Sequence, residues 1–414
     1  MASDSGEPDG AGAAPLLEPR ESIPPIVSDA QSLKEATAAL AAGRGPVAVD
    51  AERASGYRYG QRAYLVQFRR HGSGTILIDP ISCPDLSGVD AALADTEAVL
   101  HAASQDLPCL AEVSYKPRRI FDTELAGRLL GFPRVGLATL VEEILGVRLE
   151  KGHSAADWST RPLPASWIRY AVLDVEVLVE LRDSLAAQLD AAGKSEWACQ
   201  EFRAVLEAVP ARPRADPWRR TSGIHRVRSP RGLAAVRELW QARDGIARRL
   251  DLSPGRVLPD AAIVEAARTL PVTSSDLHAI GGFTGRNARR YTGTWLRALA
   301  RARSGGADSL PEPSVPGDGP PPASRWAERD PAAARRLEAA RTVVAAIADE
   351  HSVPSENLLQ PDTVRRLCWN PPAAPTLEAI QGELAHYGAR PWQIELTALP
   401  LAGALRRLHD KGEG

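Results

Sequence analysis

The sequence predicts an α/β domain with a mixed sheet, followed by small all-α helical domains. Three observations carry that expectation. Short alternating apolar stretches succeed one another between residues 46 and 79, and helical stretches interleaved with a further strand continue to about residue 192. Two segments dense in proline then punctuate the chain, at 210–230 and 304–324. Flanking the second are two similar runs, ARRLDLSPGRVLPDAAIVEAAR and AAIADEHSVPSENLLQPDTVRR. At 414 residues the chain exceeds one ordinary core, so two or three domains of roughly 100 to 200 residues are expected.

The elements follow in order. Residues 1–24 are rich in Gly, Ala, Pro, Asp and Glu and read as a disordered acidic tail, with no basic start and apolar run of a secretory signal. Ser28 or Asp29 caps a helix to about Ala42, which Gly43 and Gly45 end. PVAVDAE (46–52), AYLVQF (63–68) and TILID (75–79) are three consecutive antiparallel strands. A helix near 86–95 and a strand at 98–101 come next.

Pro and Arg crowd the segment at 209–227, which reads as a linker, and the Gly/Pro/Ser composition at 306–325 cannot bury enough surface to order itself. The α/β domain therefore spans 25–208, with helical domains at 228–305 and 326–414. In the paired runs, Pro254 matches Pro354 and Pro259-Asp260 matches Pro361-Asp362, the mark of a duplicated helical unit. The linker before the last unit suggests that this unit moves independently.

Composition excludes several classes. Hydrophobic residues at 44% and charged residues at 25% are globular values, and no apolar run is long enough to span a bilayer. Cys83, Cys109, Cys199 and Cys368 are scattered, which argues against a zinc site or a disulfide framework and fits a reducing cytoplasm. The net charge of −2 hides an asymmetry: residues 212–303 hold 19 Arg and no Lys against seven acids, a balance of +12, leaving −14 elsewhere. One segment is built for anions.

Three short motifs carry the chemistry. Asp50 and Glu52, at i and i+2 on a strand, share one face and can share a metal ion, although a strand running out to solvent can also end in two acids. In HAASQDLPCL (101–110), Asp106 sits where a strand gives way to a helix, a place that also suits an N-cap. Tyr170 and Asp174, at i and i+4, share a helix face, where an interfacial aromatic and a solvated acid would look the same.

Together, in this order and in these contexts, the three motifs resemble the exonuclease motifs of the DEDD superfamily, and the tyrosine four residues before the last Asp places them in the tyrosine subclass. Further runs resemble ribonuclease D: Phe121-Asp122-Thr123 followed by Ala126 and Leu129-Leu130-Gly131, and Asp157-Trp158-Ser159 followed by Arg161-Pro162-Leu163. The likeness covers about 25–205, and the repeated C-terminal units resemble HRDC domains, the second more diverged. Two positions depart from the family: Ala51 stands where Thr is usual and Arg53 where an aromatic is usual.

The resemblance implies a ribonuclease H-like mixed sheet and a 3′-to-5′ exoribonuclease acting on RNA 3′ ends, such as tRNA precursors, with two divalent ions, Mg²⁺ or Mn²⁺, as cofactors. It implies that Asp50 bridges both ions, that Glu52 and Asp174 complete one shell, that Asp106 helps hold the other, and that Tyr170 orients the attacking water. Four carboxylates without His or Cys suit such hard ions better than Zn²⁺. Asp122 reads as a helix cap. Gln105, Trp158 and Arg161 are candidate RNA contacts, with packing an equal reading for Trp158 and Arg161. In the basic half, Arg286, Arg289 and Arg290 follow Gly281-Gly282 and Gly285 and are candidate phosphate ligands, while Trp240 and Trp295 are base-stacking or core residues. A cytoplasmic monomer without a small-molecule cofactor is expected. A DNA exonuclease with the same acids and a non-catalytic RNA-binding protein are the alternatives.

Overall fold

β1 (Ala14–Leu16), β2 (Ile26–Val27) and α1 (Ala30–Ala42) lead into β3 (Arg44–Arg53), β4 (Ala63–His71) and β5 (Gly74–Ile78). Next come α2 (Ser87–Ala92), β6 (Ala98–Leu100), α3 (Leu107–Glu112), β7 (Ile120–Asp122), α4 (Thr123–Leu129), α5 (Leu137–Leu145) and β8 (Val147–Leu149). Three helices close the domain: α6 (Ala165–Glu176), α7 (Leu178–Ala191) and α8 (Ser195–Leu206). The computed structural model describes residues 14–16, 18–149, 152–153, 155–209, 215–312 and 319–410.

The main sheet has the order β2-β5-β4-β3-β6-β7. β3, β4 and β5 are antiparallel, as their short connections require, whereas β6 and β7 run parallel to β3 after helical crossovers. Val47 and Val49 of β3 are buried with Val66 and Phe68 of β4. α1 starts where expected: the Asp29 carboxylate accepts from the backbone N–H groups of Gln31 and Ser32.

Part of the predicted tail belongs to the fold. β1 pairs in parallel with β8, and the Arg20 backbone N–H donates to Glu176 at 2.9 Å while its guanidinium pairs with Glu180. Residues 1–13 and 17 lie outside the described residues.

The first helical unit comprises α9 (Pro230–Leu250), α10 (Pro254–Val257), α11 (Asp260–Thr269), α12 (Ser274–His278), α13 (Arg286–Arg290) and α14 (Thr292–Ser304). The second comprises α15 (Trp326–Arg329), α16 (Pro331–Glu350), α17 (Ser355–Leu358), α18 (Pro361–Trp369), α19 (Leu377–His386) and α20 (Pro391–Asp410). In both, a long helix, a four-residue helix and a medium helix follow one another, as the paired prolines suggest. Among the described residues no helix is long and apolar enough to cross a membrane.

The linkers are smaller than composition implies. Trp218 and Val227, inside the predicted linker at 209–227, are buried in the core of the first unit. At the edges of the second linker, Arg219 donates to the Glu312 carbonyl, and Arg365 donates to those of Pro320 and Pro321. Residues 210–214 and 313–318 lie outside the described residues.

The last unit is not independent, contrary to the reading from its linker. Its core is continuous with that of the α/β domain: Trp392 stacks on Trp197 with ring centroids 4.7 Å apart, and Lys194 Nζ donates to the carbonyls of Leu129 at 2.6 Å and His351 at 2.7 Å. Gly131 explains part of the Leu-Leu-Gly run. It has φ +82°, and a Cβ there would come within 2.6 Å of the Ser352 carbonyl oxygen. The first unit docks differently, on the loop after β3: Tyr59 Oη donates to Asp244 at 2.9 Å, the Ser253 N–H to the Tyr57 carbonyl at 2.9 Å, and the Arg256 guanidinium lies 4.1 Å from the Tyr57 ring centre.

Candidate active site

The end of β3 and the middle of α6 meet at the floor of a cleft of about 610 Å³. α6 packs across β3, β4 and β5 through Ala171 and Val172, which join Leu65 and Leu77 in a small core. That packing turns the opposite edge of α6, with Tyr170 and Asp174, toward Asp50 and Glu52. Carboxylate oxygens of Asp50, Glu52 and Asp174 all lie within 4.8 Å of one another.

Burial and mutual repulsion shape this cluster. Glu52 is 7% exposed, and burial first, then the charges of Asp50, Asp174 and Asp106, hold its carboxyl well above the usual range. Burial raises Asp50 and Asp174 in the same direction, and the Asp50 charge adds to the effect on Asp174. A divalent cation relieves such repulsion, and an all-oxygen donor set without His or Cys fits a hard ion.

Asp106 stands apart. It occupies the N-cap position of α3, yet its side chain makes no cap bond; instead Oδ1 lies 3.3 Å from Arg53 Nη2. Its pKa is pushed up to about 8 by burial and then by Asp50, with Arg53 opposing. The β3–β4 register shifts between Glu52 and Arg53, which ends strict alternation at the strand end, and Arg53 lines the same cleft as the acids. Arg53 stood out in the sequence only as a departure from the family pattern; no local signal told which acid it would meet.

Tyr170 lines the cleft beside Asp174, and its phenol is pushed above its ordinary value by burial, Asp174 and Glu52. Beside it, the His153 ring sits edge-on at 5.8 Å. His101, at the start of the second motif, hydrogen-bonds Thr123 Oγ1 at 2.9 Å and is pushed down to about 4 by burial, so its ring is neutral at pH 7. Neither histidine was singled out from the sequence.

Asp122 is a cap of wider reach than its motif suggests. Its carboxylate accepts from Glu124 and Leu125 at the start of α4 and from Ala102 and Ala103, so it holds the turn that carries Asp106.

The candidate RNA contacts divide. Gln105 is exposed at the cleft, 3.5 Å from Arg53. Trp158, in contrast, is 0% exposed, and its indole N–H donates to the His153 carbonyl, leaving no face on which a base can stack. Arg161 is spent on structure: it binds both Asp79 oxygens and the carbonyls of Tyr64, Trp158 and Thr160. Packing is therefore the role the structure gives both residues. Arg286, Arg289 and Arg290 lie exposed on α13, while Trp295 is core, its indole bonded to the Ala288 carbonyl.

Comparison with known proteins places this geometry. A "3'-5' exonuclease" family model matches residues 24–190, an "HRDC domain" model 232–299, and a "3' to 5' exonuclease C-terminal domain" model 319–405. The class is thus a hydrolytic 3′–5′ exonuclease domain with two helical C-terminal units. Ribonuclease D of Gluconacetobacter diazotrophicus is 30% identical over 81% of this chain and 84% of its own length. The chain belongs to the ribonuclease D family.

Among solved structures, a protein from Bifidobacterium adolescentis shares 35% identity over 95% of this chain and 99% of its own, with TM-score 0.88. Escherichia coli RNase D, described as an exoribonuclease involved in structured RNA processing, shares 26% identity over 92% of this chain and 98% of its own, with TM-score 0.67.

Proposed function

We propose that this protein removes nucleotides from the 3′ ends of structured RNAs, tRNA precursors among them, by hydrolysis at a site holding two Mg²⁺ or Mn²⁺ ions. The observation that carries this is the convergence of Asp50, Glu52 and Asp174 within 4.8 Å beside the Tyr170 hydroxyl, in a chain of the ribonuclease D family. Asp50, Glu52 and Asp174 would hold one ion, and Asp106 with Asp50 the other. When bound, such cations supply a nucleophile at neutral pH and relieve charge on the leaving oxygen.

The chain's own residues do the rest. Tyr170 stays protonated, because burial and the carboxylates beside it push its phenol up; it donates and orients rather than abstracting a proton. Asp122 holds the turn that presents Asp106. His101, fixed on Thr123 and neutral, adds no positive charge to the cleft.

Incubating a 3′-tailed RNA hairpin and its DNA equivalent with Mg²⁺, Mn²⁺ or EDTA tests the reading. Stepwise shortening of the RNA with either metal and none in EDTA is expected; preferential shortening of DNA, or RNA bound but never shortened, would replace it. Tyr170→Phe should lower kcat by about 10- to 100-fold through lost orientation, with Mn²⁺ affinity unchanged. Full activity in that variant would remove Tyr170 from the mechanism.

The exposed arginines of α13 would hold the RNA backbone by charge. Reversing Arg289 and Arg290 to Glu should weaken RNA binding and reduce the slope of log affinity against log salt by about two, one for each lost phosphate contact. An unchanged slope would mark these residues as a solvated face.

A further inference from the structure

The cleft is lined by carboxylates of Asp50, Glu52, Asp106, Glu124 and Asp174, and among the described lining residues Arg53 is the one Arg or Lys. Among those residues, a phosphodiester entering the cleft meets the permanent positive charge of Arg53. That charge is already engaged, with Arg53 Nη2 3.3 Å from Asp106 and 3.5 Å from Gln105 Oε1. Both contacts are longer than the roughly 2.7–2.9 Å of a firm charge-assisted bond, and no second carboxylate oxygen completes a bidentate pair. The Arg53 side chain is 24% exposed, against 8% for Asp106, so the guanidinium can leave while the carboxylate stays.

We propose that Arg53 is a displaceable counter-cation: it neutralises Asp106 while that carboxylate lacks a metal ion, and on metal loading it turns to the phosphate of the RNA 3′ end. This rests on the metal-dependent reading above. The physical reason is that a guanidinium and a divalent cation cannot both sit on one carboxylate without repelling each other, so each weakens the other's hold. With the clustered carboxylates taken up by cations and Glu124 paired with Arg128, the displaced guanidinium is left for a phosphate, which matches its planar fork of donors. RNA binding and occupancy of Asp106 are thereby coupled through one side chain that is neither a metal ligand nor a general base.

The test uses the full chain and two readouts separate from turnover. Mn²⁺ titration followed by EPR, without RNA, is performed on wild type, Asp106→Asn, Arg53→Gln and Arg53→Lys. Asp106→Asn marks the binding event that uses Asp106. In Arg53→Gln that event should tighten by about tenfold relative to the event that survives Asp106→Asn, in line with a lost charge-assisted contact, and in Arg53→Lys it should tighten less. Binding of a hydrolysis-resistant phosphorothioate oligoribonucleotide is then measured by anisotropy in Ca²⁺ and in EDTA. Arg53→Gln should weaken it by about tenfold in Ca²⁺ and little in EDTA, where the wild-type guanidinium is held on Asp106.

An Asp106-dependent event of unchanged affinity in both variants, or an equal loss of RNA affinity with and without Ca²⁺, would overturn the proposal. Wild type that binds no Mn²⁺ would instead overturn the metal-dependent reading, and this inference with it.

Discussion

Asp50→Asn should lower the rate of RNA shortening by on the order of 10³-fold or more while the fold is retained. Asp50 is the acid from which the cluster radiates: it lies within 4.8 Å of Glu52 and Asp174, and its charge also raises Asp106. The amide keeps the shape and loses one of the negative charges that hold a cation. The same variant should be more stable than wild type in EDTA, because a neutral amide removes repulsion among buried carboxylates.

The pH dependence has a definite sign. These carboxyls titrate above their unfolded values of roughly 4, so the cation-free folded protein holds protons that the unfolded chain releases. Stability in EDTA should therefore be fullest below about pH 4 as far as these groups are concerned and should fall as pH rises through the folded values, about 8 for Asp106. Mn²⁺ should restore it in wild type and less in Asp50→Asn. Thermal unfolding across pH 5–9, with EDTA or Mn²⁺, checks both statements. A flat wild-type profile in EDTA would contradict the repulsion assigned to the cluster.

The second large effect lies far from the cleft. Trp392→Ala should destabilise the α/β domain together with the last helical unit by about 3–5 kcal/mol. Trp392 is 2% exposed, stacks on Trp197 at 4.7 Å, and donates its indole N–H to Glu201 at 2.9 Å, where Arg390 also pairs. Removing it opens a cavity in the shared core and takes a donor from a carboxylate that is itself buried. Denaturant unfolding should show one transition for the two parts in wild type, shifted to lower denaturant in the variant. Two separate transitions in wild type would show that the shared core does not couple them.

Much of the site was legible in order along the chain. A period of two puts Asp50 and Glu52 on one face of β3, and an i, i+4 spacing puts Tyr170 and Asp174 on one edge of α6; both follow from backbone geometry alone. Asp122 announced itself as a cap because Thr123 and an apolar helix follow it, while for α1 the sequence offered Ser28 or Asp29 and the structure uses Asp29.

Other features depend on which surfaces meet. Composition made 319–325 look like part of a free tether and 326–410 a mobile unit, but the indole of Trp392 stacks on Trp197 of the α/β domain and the ammonium of Lys194 in that domain reaches the His351 carbonyl of the last unit, contacts that no local pattern announces. Trp158 and Arg161 belong to a motif that resembles the family's, yet burial turns Trp158 into the core, and Asp79 with the Tyr64 carbonyl holds the guanidinium of the exposed Arg161.

By itself, then, the sequence determined the central strands and which faces carry Asp50 with Glu52 and Tyr170 with Asp174, because periodicity acts over a few residues; that these residues and Asp106 belong together came from the resemblance to the DEDD exonucleases. The tertiary structure alone decided that Arg53 meets Asp106, that Trp158 is core, and that the last helical unit shares a core with the α/β domain. Such choices are made by charges and apolar faces brought together from distant parts of the chain, with the burial that follows setting their energies.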